Sequence, residues 1–172
     1  MEILIGIGKY WKHFTVITKH KWYVGMECFK IGLYWQGLTH DLSKYSLTEF
    51  FISAKHFQGS SSPIDTEIVK KGYSIAWLNH KNKNKHHFQY WIHYNRGDVK
   101  PVPMPKKYMK ELACDFIGAG KGYDNNSDKT APLRYWSGQI DKTFIHKNTQ
   151  DYIKRLFVCY AGTGTLNLTG VK

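Results

Sequence analysis

Apolar residues recur along residues 10–33 at the spacing of one helix face: Phe14, Ile17, Val24, Cys28 and Ile31. This stripe predicts a long first helix, with Gly32 and Gly37 flanking its end. One helix cannot bury such a stripe alone, so the chain is expected to pack further helices against it. At 172 residues the length suits one compact domain with a sizeable core. The expected fold is therefore all-α: a single helical bundle over residues 1–160, followed by a polar tail over 161–172. No internal repeat or long low-complexity segment interrupts it.

Local signals divide the rest of the chain. Ser46-Leu47-Thr48-Glu49 has capping-box spacing and predicts a helix to about His56. Gly59–Pro63 reads as a loop. Asp65 reads as the cap of a helix running to about Leu78. Lys81–Lys85 reads as a polar connector, and His86–Tyr94 as a short aromatic helix. Asn95–Pro105 holds three of the five prolines and reads as a loop. Pro105 suits the first turn of a helix ending near Gly118–Gly120. Residues 121–136 look irregular, and a last helix is expected from about Asn148 to Tyr160.

Composition excludes some classes. No stretch of about 18 apolar residues is present, which argues against membrane insertion. The run Ile3–Ile7 follows acidic Glu2 and lacks the features of a signal peptide. Cys28, Cys114 and Cys159 form no C-x-x-C pair and suggest reduced, mostly buried thiols. A cytoplasmic protein is expected. Lys and Arg number 25 against 13 Asp and Glu, a formal charge of +12. The excess is spread along the chain, with one local run at Lys81, Lys83 and Lys85. Such a field attracts anions such as nucleotides, nucleic acid or acidic headgroups, and it equally serves solubility.

The informative residues are ligand types carried on separate predicted elements. His20 lies inside the first helix, and His40-Asp41 follows Gly37-Leu38-Thr39. His80 ends the third helix, and His86-His87 opens the aromatic segment. Asp115 sits among Leu112, Ala113, Cys114 and Phe116, where an unpaired carboxylate is costly. Imidazole and carboxylate together suit Zn, Fe, Mn or Ni. A helical bundle can aim such side chains from several helices at one centre. Each also has a plainer reading: His20 as a satisfied core residue, His40-Asp41 as a turn or cap, His86-His87 as surface beside the lysines. His13, His56, His93 and His146 read as structural or surface residues.

The order His, His-Asp, Asp resembles the motif of the HD-domain superfamily of metal-dependent phosphohydrolases. His40-Asp41-Leu42-Ser43-Lys44 is similar to its HD-x-x-K form. The His80 and His86-His87 insertion resembles dinuclear branches, including the HD-GYP cyclic-dinucleotide phosphodiesterases, although the G-Y-P string is missing. A closer resemblance is to a family of uncharacterised bacterial and phage proteins, carried by four segments. These are G-L-x-H-D-L-S-K-x-S-x-T-E-F at Gly37–Phe50, S-P-I-D at Ser62–Asp65, A-W-x-x-H-K-x-x-N-x-H-H at Ala76–His87 and C-D-x-x-G-A-G at Cys114–Gly120. The likeness runs from about His20 to Tyr160.

The resemblance implies an HD-like fold and a site for one or two divalent transition metals. His20, His40, Asp41 and Asp115 would hold the first. Asp41 would bridge to a second on His80 and on His86, His87 or both. Lys44 would contact a substrate phosphate or a metal-bound oxygen. Glu49 and Glu111 are candidate proton carriers. Glu111 lies four residues before Asp115 on the same helix face, so it also suits a supporting partner. The expected activity is hydrolysis of a nucleotide or other phosphate ester, with Lys44, Asp41 and Glu111 as catalytic candidates. The expected partner is an anionic, phosphate-containing small molecule. Tyr73, Trp77, Phe88 and Trp91 either stack on a base or belong to the core. Three other readings remain open: a metal-binding sensor with a degenerate HD fold, a dinuclear-iron oxygenase, and a basic nucleic-acid-binding module.

Overall fold

The computed structural model describes residues 2–59, 62–124, 128–139 and 144–167, with the side chains of 2–7, 123 and 124 left aside. The chain folds into a compact, predominantly helical bundle. Helix α1, Glu2–Lys30, carries the predicted stripe. Its buried face reads His13, Ile17, Val24, Glu27 and Cys28, with His20 half-buried on the same side. Phe14 lies on the edge of that face, 38% exposed. The helix stops at Gly32, whose φ of +75° turns the chain into the short α2, Tyr34–Thr39.

A 3-10 turn, Leu42–Tyr45, leads into α3, Leu47–His56. Ser46 caps α3 by accepting a hydrogen bond from the Glu49 backbone N–H. The single helix expected from Asp65 to Leu78 is instead two. Helix α4, Pro63–Lys71, starts with proline in its first turn after Ser62. Gly72 then takes a left-handed conformation at φ +81° and ends it. Ser74 caps α5, Ile75–Lys83, accepting from the Trp77 N–H at 3.0 Å. This break turns His80 toward α3.

The expected aromatic helix over His86–Tyr94 is also corrected. Phe88–Trp91 form one 3-10 turn, and strands β1, Ile92–Asn95, and β2, Asp98–Pro101, pair antiparallel. Arg96 and Gly97 both have positive φ, the two-residue turn that matches strand twist. The fold is thus a helical bundle with one small hairpin among the described residues, not purely helical.

Helix α6, Lys106–Asp124, runs past the glycines at 118–120, where it was expected to end. Residues 131–139, expected to be partly irregular, form helix α7, Ala131–Gln139. Helix α8, Lys147–Thr163, extends a few residues beyond its expected end and closes at Gly164, φ +76°. Just beyond it, Leu166 packs into the core. Residues 168–172 of the tail lie outside the described residues. The main core is shared by α1, α6, α7 and α8 through Val24, Leu112, Ile117, Trp136, Ile153 and Phe157. Cys28 and Cys114 are buried and free. The hydrogen bond with Cys28, together with burial, pushes the Cys114 thiol up. Among the described residues no helix is long and apolar enough to cross a membrane.

Two close approaches set the positions of the elements around the centre. At Gly118 a β-carbon would stand 2.8 Å from the Val24 nitrogen and 2.9 Å from its Cα, so α1 and α6 cross almost backbone to backbone. At Gly37 a β-carbon would lie 2.6 Å from the Phe29 ring, so α2 is held tightly on α1 just before His40.

Candidate metal centre

Five segments converge on one buried point. Helix α1 brings His20, the turn after α2 brings His40 and Asp41, and the last turn of α5 brings His80. The turn after α5 brings His86 and His87, and α6 brings Asp115. Asp41 is at the middle. Its backbone is left-handed, with φ 55° and ψ 22°, a conformation that Asp and Asn tolerate better than most residues. This bend reverses the chain and turns its carboxylate inward.

The carboxylate divides its oxygens between two sets of donors. Oδ2 lies 3.3 Å from His20 Nε2 and 3.4 Å from His40 Nε2. Asp115 Oδ1 closes this set at 3.1 Å from His20 Nε2 and 3.6 Å from His40 Nε2. Asp41 Oδ1 lies 3.3 Å from His80 Nε2 and 3.4 Å from His86 Nε2. Donors bonded to one ion at about 2.0–2.2 Å stand roughly 3.0–3.5 Å from each other, which is the spacing found here. His86 Nε2, His87 Nε2 and Asp41 Oδ1 are buried without a hydrogen bond among the described residues. Such atoms are costly unless something between them takes their lone pairs. The two groups His20/His40/Asp41/Asp115 and Asp41/His80/His86/His87 are each compact enough to hold a metal ion.

The far sides of three of the rings, His40, His80 and His86, are fixed by carboxylates. His40 Nδ1 and His86 Nδ1 lie 3.1 and 3.3 Å from the same oxygen of Glu111. His80 Nδ1 donates to Glu49 Oε2 at 2.9 Å, and the Ser43 hydroxyl donates to that oxygen at the same distance. These contacts hold Nδ1 of His40, His80 and His86 as donors and turn each Nε2 toward the centre, where an ion would take the place of any proton there. The sequence already marked Glu49 and Glu111 as acid–base candidates, and both stand behind the rings. Ser43 and Asn84 were missed. Asn84 donates to the Ser43 oxygen at 2.7 Å and ties the 3-10 turn to the end of α5. Their signal was present only as polar residues inside the H-D-L-S-K and H-K-x-x-N strings. Glu111→Gln should weaken metal binding by about 10- to 100-fold with helix content unchanged. Competition with a coloured chelator measures this, and parental affinity in the variant would refute it.

The charges are balanced around Asp41. Burial opposes ionisation of Asp41, but His40, Lys44 and His80 outweigh it and hold the carboxyl well below its usual range. Asp115 is held down in the same way, against its burial, by His20 and His40. Burial pulls His40 down, yet Asp41, Asp115 and Glu111 raise it to about 10. Burial, then His86 and His80, keep His87 well below the usual imidazole range, so it stays neutral. Lys44 Nζ sits 2.5 Å from Asp41 Oδ2, beside the first group.

The surroundings are mixed. Lys83 and Lys85 line a 340 Å³ cavity with Lys107, and His86 and Glu111 are among its other walls. Trp77 packs edge-on to His87 at 4.9 Å, Phe88 against Trp136 and Trp91 against Tyr108, so these rings are packing residues. Tyr73 is exposed. Among the remaining histidines, His13 and His56 are buried, His93 is exposed on β1 and His146 caps α8.

A helical bundle that gathers buried histidines and aspartates from five segments around a shared carboxylate defines a protein built with sites able to hold a metal ion. The chain belongs to the family described as "Family of unknown function (DUF5662)", which matches residues 9–158. No curated protein and no solved structure matches it.

Proposed function

We propose that the protein is a metal-dependent hydrolase of phosphate esters. The observation that carries this reading is Asp41, which offers one oxygen to each donor group while Lys44 sits on its Oδ2. The order His20, His40-Asp41, Asp115 supports it through the likeness to HD phosphohydrolases. His20, His40, Asp41 and Asp115 would hold one divalent transition metal, and Asp41, His80, His86 and His87 a second. Bound there, the metal supplies Lewis-acid polarisation of a phosphoryl oxygen and a water acidified toward neutral pH.

The chain's own residues supply the rest. Lys44 presents its ammonium beside Asp41 and offsets charge developing on the phosphoryl oxygens. Glu111 and Glu49 hold the imidazoles in the Nδ1–H tautomer, so the donors need no reorganisation. The spread positive field draws in the anionic substrate.

Elemental analysis of purified protein should find about one to two transition-metal equivalents per chain, as in sites of this donor type. Protein without metal after growth with Mn, Fe and Zn would overturn the proposal. A screen of nucleotides, cyclic dinucleotides and simple monoesters, each with each metal, should then find phosphate release. Lys44→Ala should retain metal and lose about 100-fold in kcat/KM, the scale of one lost transition-state contact. Full activity in that variant would remove Lys44 from the mechanism. The nitrogen-rich donor set sharing one carboxylate also fits a pair of irons. Oxygen uptake by the iron-loaded protein, with no phosphate release, would favour an oxygenase instead.

A further inference from the structure

Beside the metal centre lies a second polar feature that the donor sets do not use. His13 is 3% exposed, and neither of its ring nitrogens has a hydrogen bond among the described residues. Its ring is wedged between Phe50, at 5.5 Å, and Phe57, at 5.2 Å. It lies two turns before His20 on the same face of α1, about 10 Å along the helix axis. His13, His20 and Lys44 all border one cavity of 220 Å³. Ser53 adds a hydroxyl to its lining, while Ile17 and Ile64 make apolar wall. A buried imidazole with no partner is held at a cost unless a ligand completes it.

We propose that this cavity seats the phosphoryl group of a small phosphate monoester, with the His13 ring turning on binding to donate a hydrogen bond to one of its oxygens. The proposal rests on the hydrolase reading and names the substrate class for it. Lys44 and His20 place the phosphorus end at the metal centre. The apolar wall takes the alcohol end. Burial, then the Lys44 charge, lower His13 to about 4, so at neutral pH its ring is uncharged and carries one N–H for an acceptor oxygen. The volume is below the roughly 300–1,000 Å³ of drug-sized ligand pockets. It accommodates a phosphate with a small alcohol, whereas a nucleoside would have to extend beyond it.

Calorimetric titration of inorganic phosphate, methyl phosphate and AMP into the purified protein tests this, with metal content measured on the same samples. Phosphate and methyl phosphate should bind, and AMP at least tenfold more weakly. His13→Phe should weaken both small ligands at least tenfold while keeping parental metal content and thermal stability. His13→Gln, which keeps a donor, should stay within about threefold of the parent. Should His13→Phe fail to fold, Ile64→Trp fills the cavity from α4 and should block phosphate in the same way. Parental phosphate affinity in both His13→Phe and Ile64→Trp, or no phosphate binding by the metal-loaded parent, would overturn the proposal. AMP bound as tightly as methyl phosphate would overturn the size limit. Phosphate bound in a His13-dependent way by protein that holds no metal would support the cavity and overturn the hydrolase reading.

Discussion

Asp41→Asn should leave the purified protein with less than about a tenth of the parental metal. The substitution keeps the size of the side chain and a residue type that tolerates the left-handed turn. It removes the charge and half of the donor oxygens at the point where both groups meet. The imidazoles of His20, His40, His80 and His86 then face a neutral amide, which neither offsets a cation nor bridges two donor sets. Asp41→Ala should lose metal equally and also cost about 1–2 kcal/mol more in stability, because alanine pays the left-handed backbone penalty in full. Elemental analysis reads the first effect, and denaturant unfolding of both variants in excess chelator reads the second. An Asn variant that loads metal like the parent would show that the carboxylate is not the shared ligand.

Gly118→Ala is the second large effect, and it acts without touching a donor. The added methyl meets the Val24 nitrogen at 2.8 Å and Cα at 2.9 Å. A side chain could rotate away, but backbone cannot, so α1 and α6 must move apart. Overpacking of this kind costs about 1–3 kcal/mol, and the upper end is expected here. The gain of up to about 1 kcal/mol in helix propensity offsets only part. His20 and Asp115 sit one turn away on the same two helices, 3.1 Å apart, so the first donor group should open with them. Gly120→Ala is the control. Nothing lies within 4 Å of its β-carbon, so stability and metal content should hold or stability should rise slightly. Thermal melts and metal analysis of the pair make the comparison. Equal behaviour of the two variants would mean that the helix crossing does not set the donor geometry.

Much of this centre was legible in the chain because its donors obey local rules. The predicted stripe of Ile17, Val24 and Cys28 marks the buried face of α1, and His20 lies on that same side. Asp115 lay among apolar neighbours on a helix, and only a compensated carboxylate persists there. What escaped notice depends on contacts between distant segments. Glu49 has the sequence position of a capping-box partner, but its carboxylate turns to His80 instead of to the Ser46 N–H. The break between α4 and α5 hangs on the left-handed Gly72 and on Ser74, whose capping role shows only once the helix has stopped. Arg96-Gly97 turns a hairpin without the usual Asn-Gly or Asp-Gly signal. Residues 131–136 read as irregular, yet Pro132 sits in the first turn of α7, where proline is tolerated. His13 reads from the sequence as a structural or surface residue, since a cavity is a property of several elements at once.

The five-segment origin of the donors also has a thermodynamic meaning. His20 and Asp115 are far apart in the chain, and the unfolded polypeptide has no pocket to offer an ion. A cation held at this centre therefore binds the native state alone, and its binding energy adds to folding. At a free concentration a hundred times its Kd, each such ion adds about 2.7 kcal/mol to the unfolding free energy. Chelation should then lower the melting temperature as well as silence the site. With an ion bound, the cluster would act as a clasp joining α1, α5 and α6.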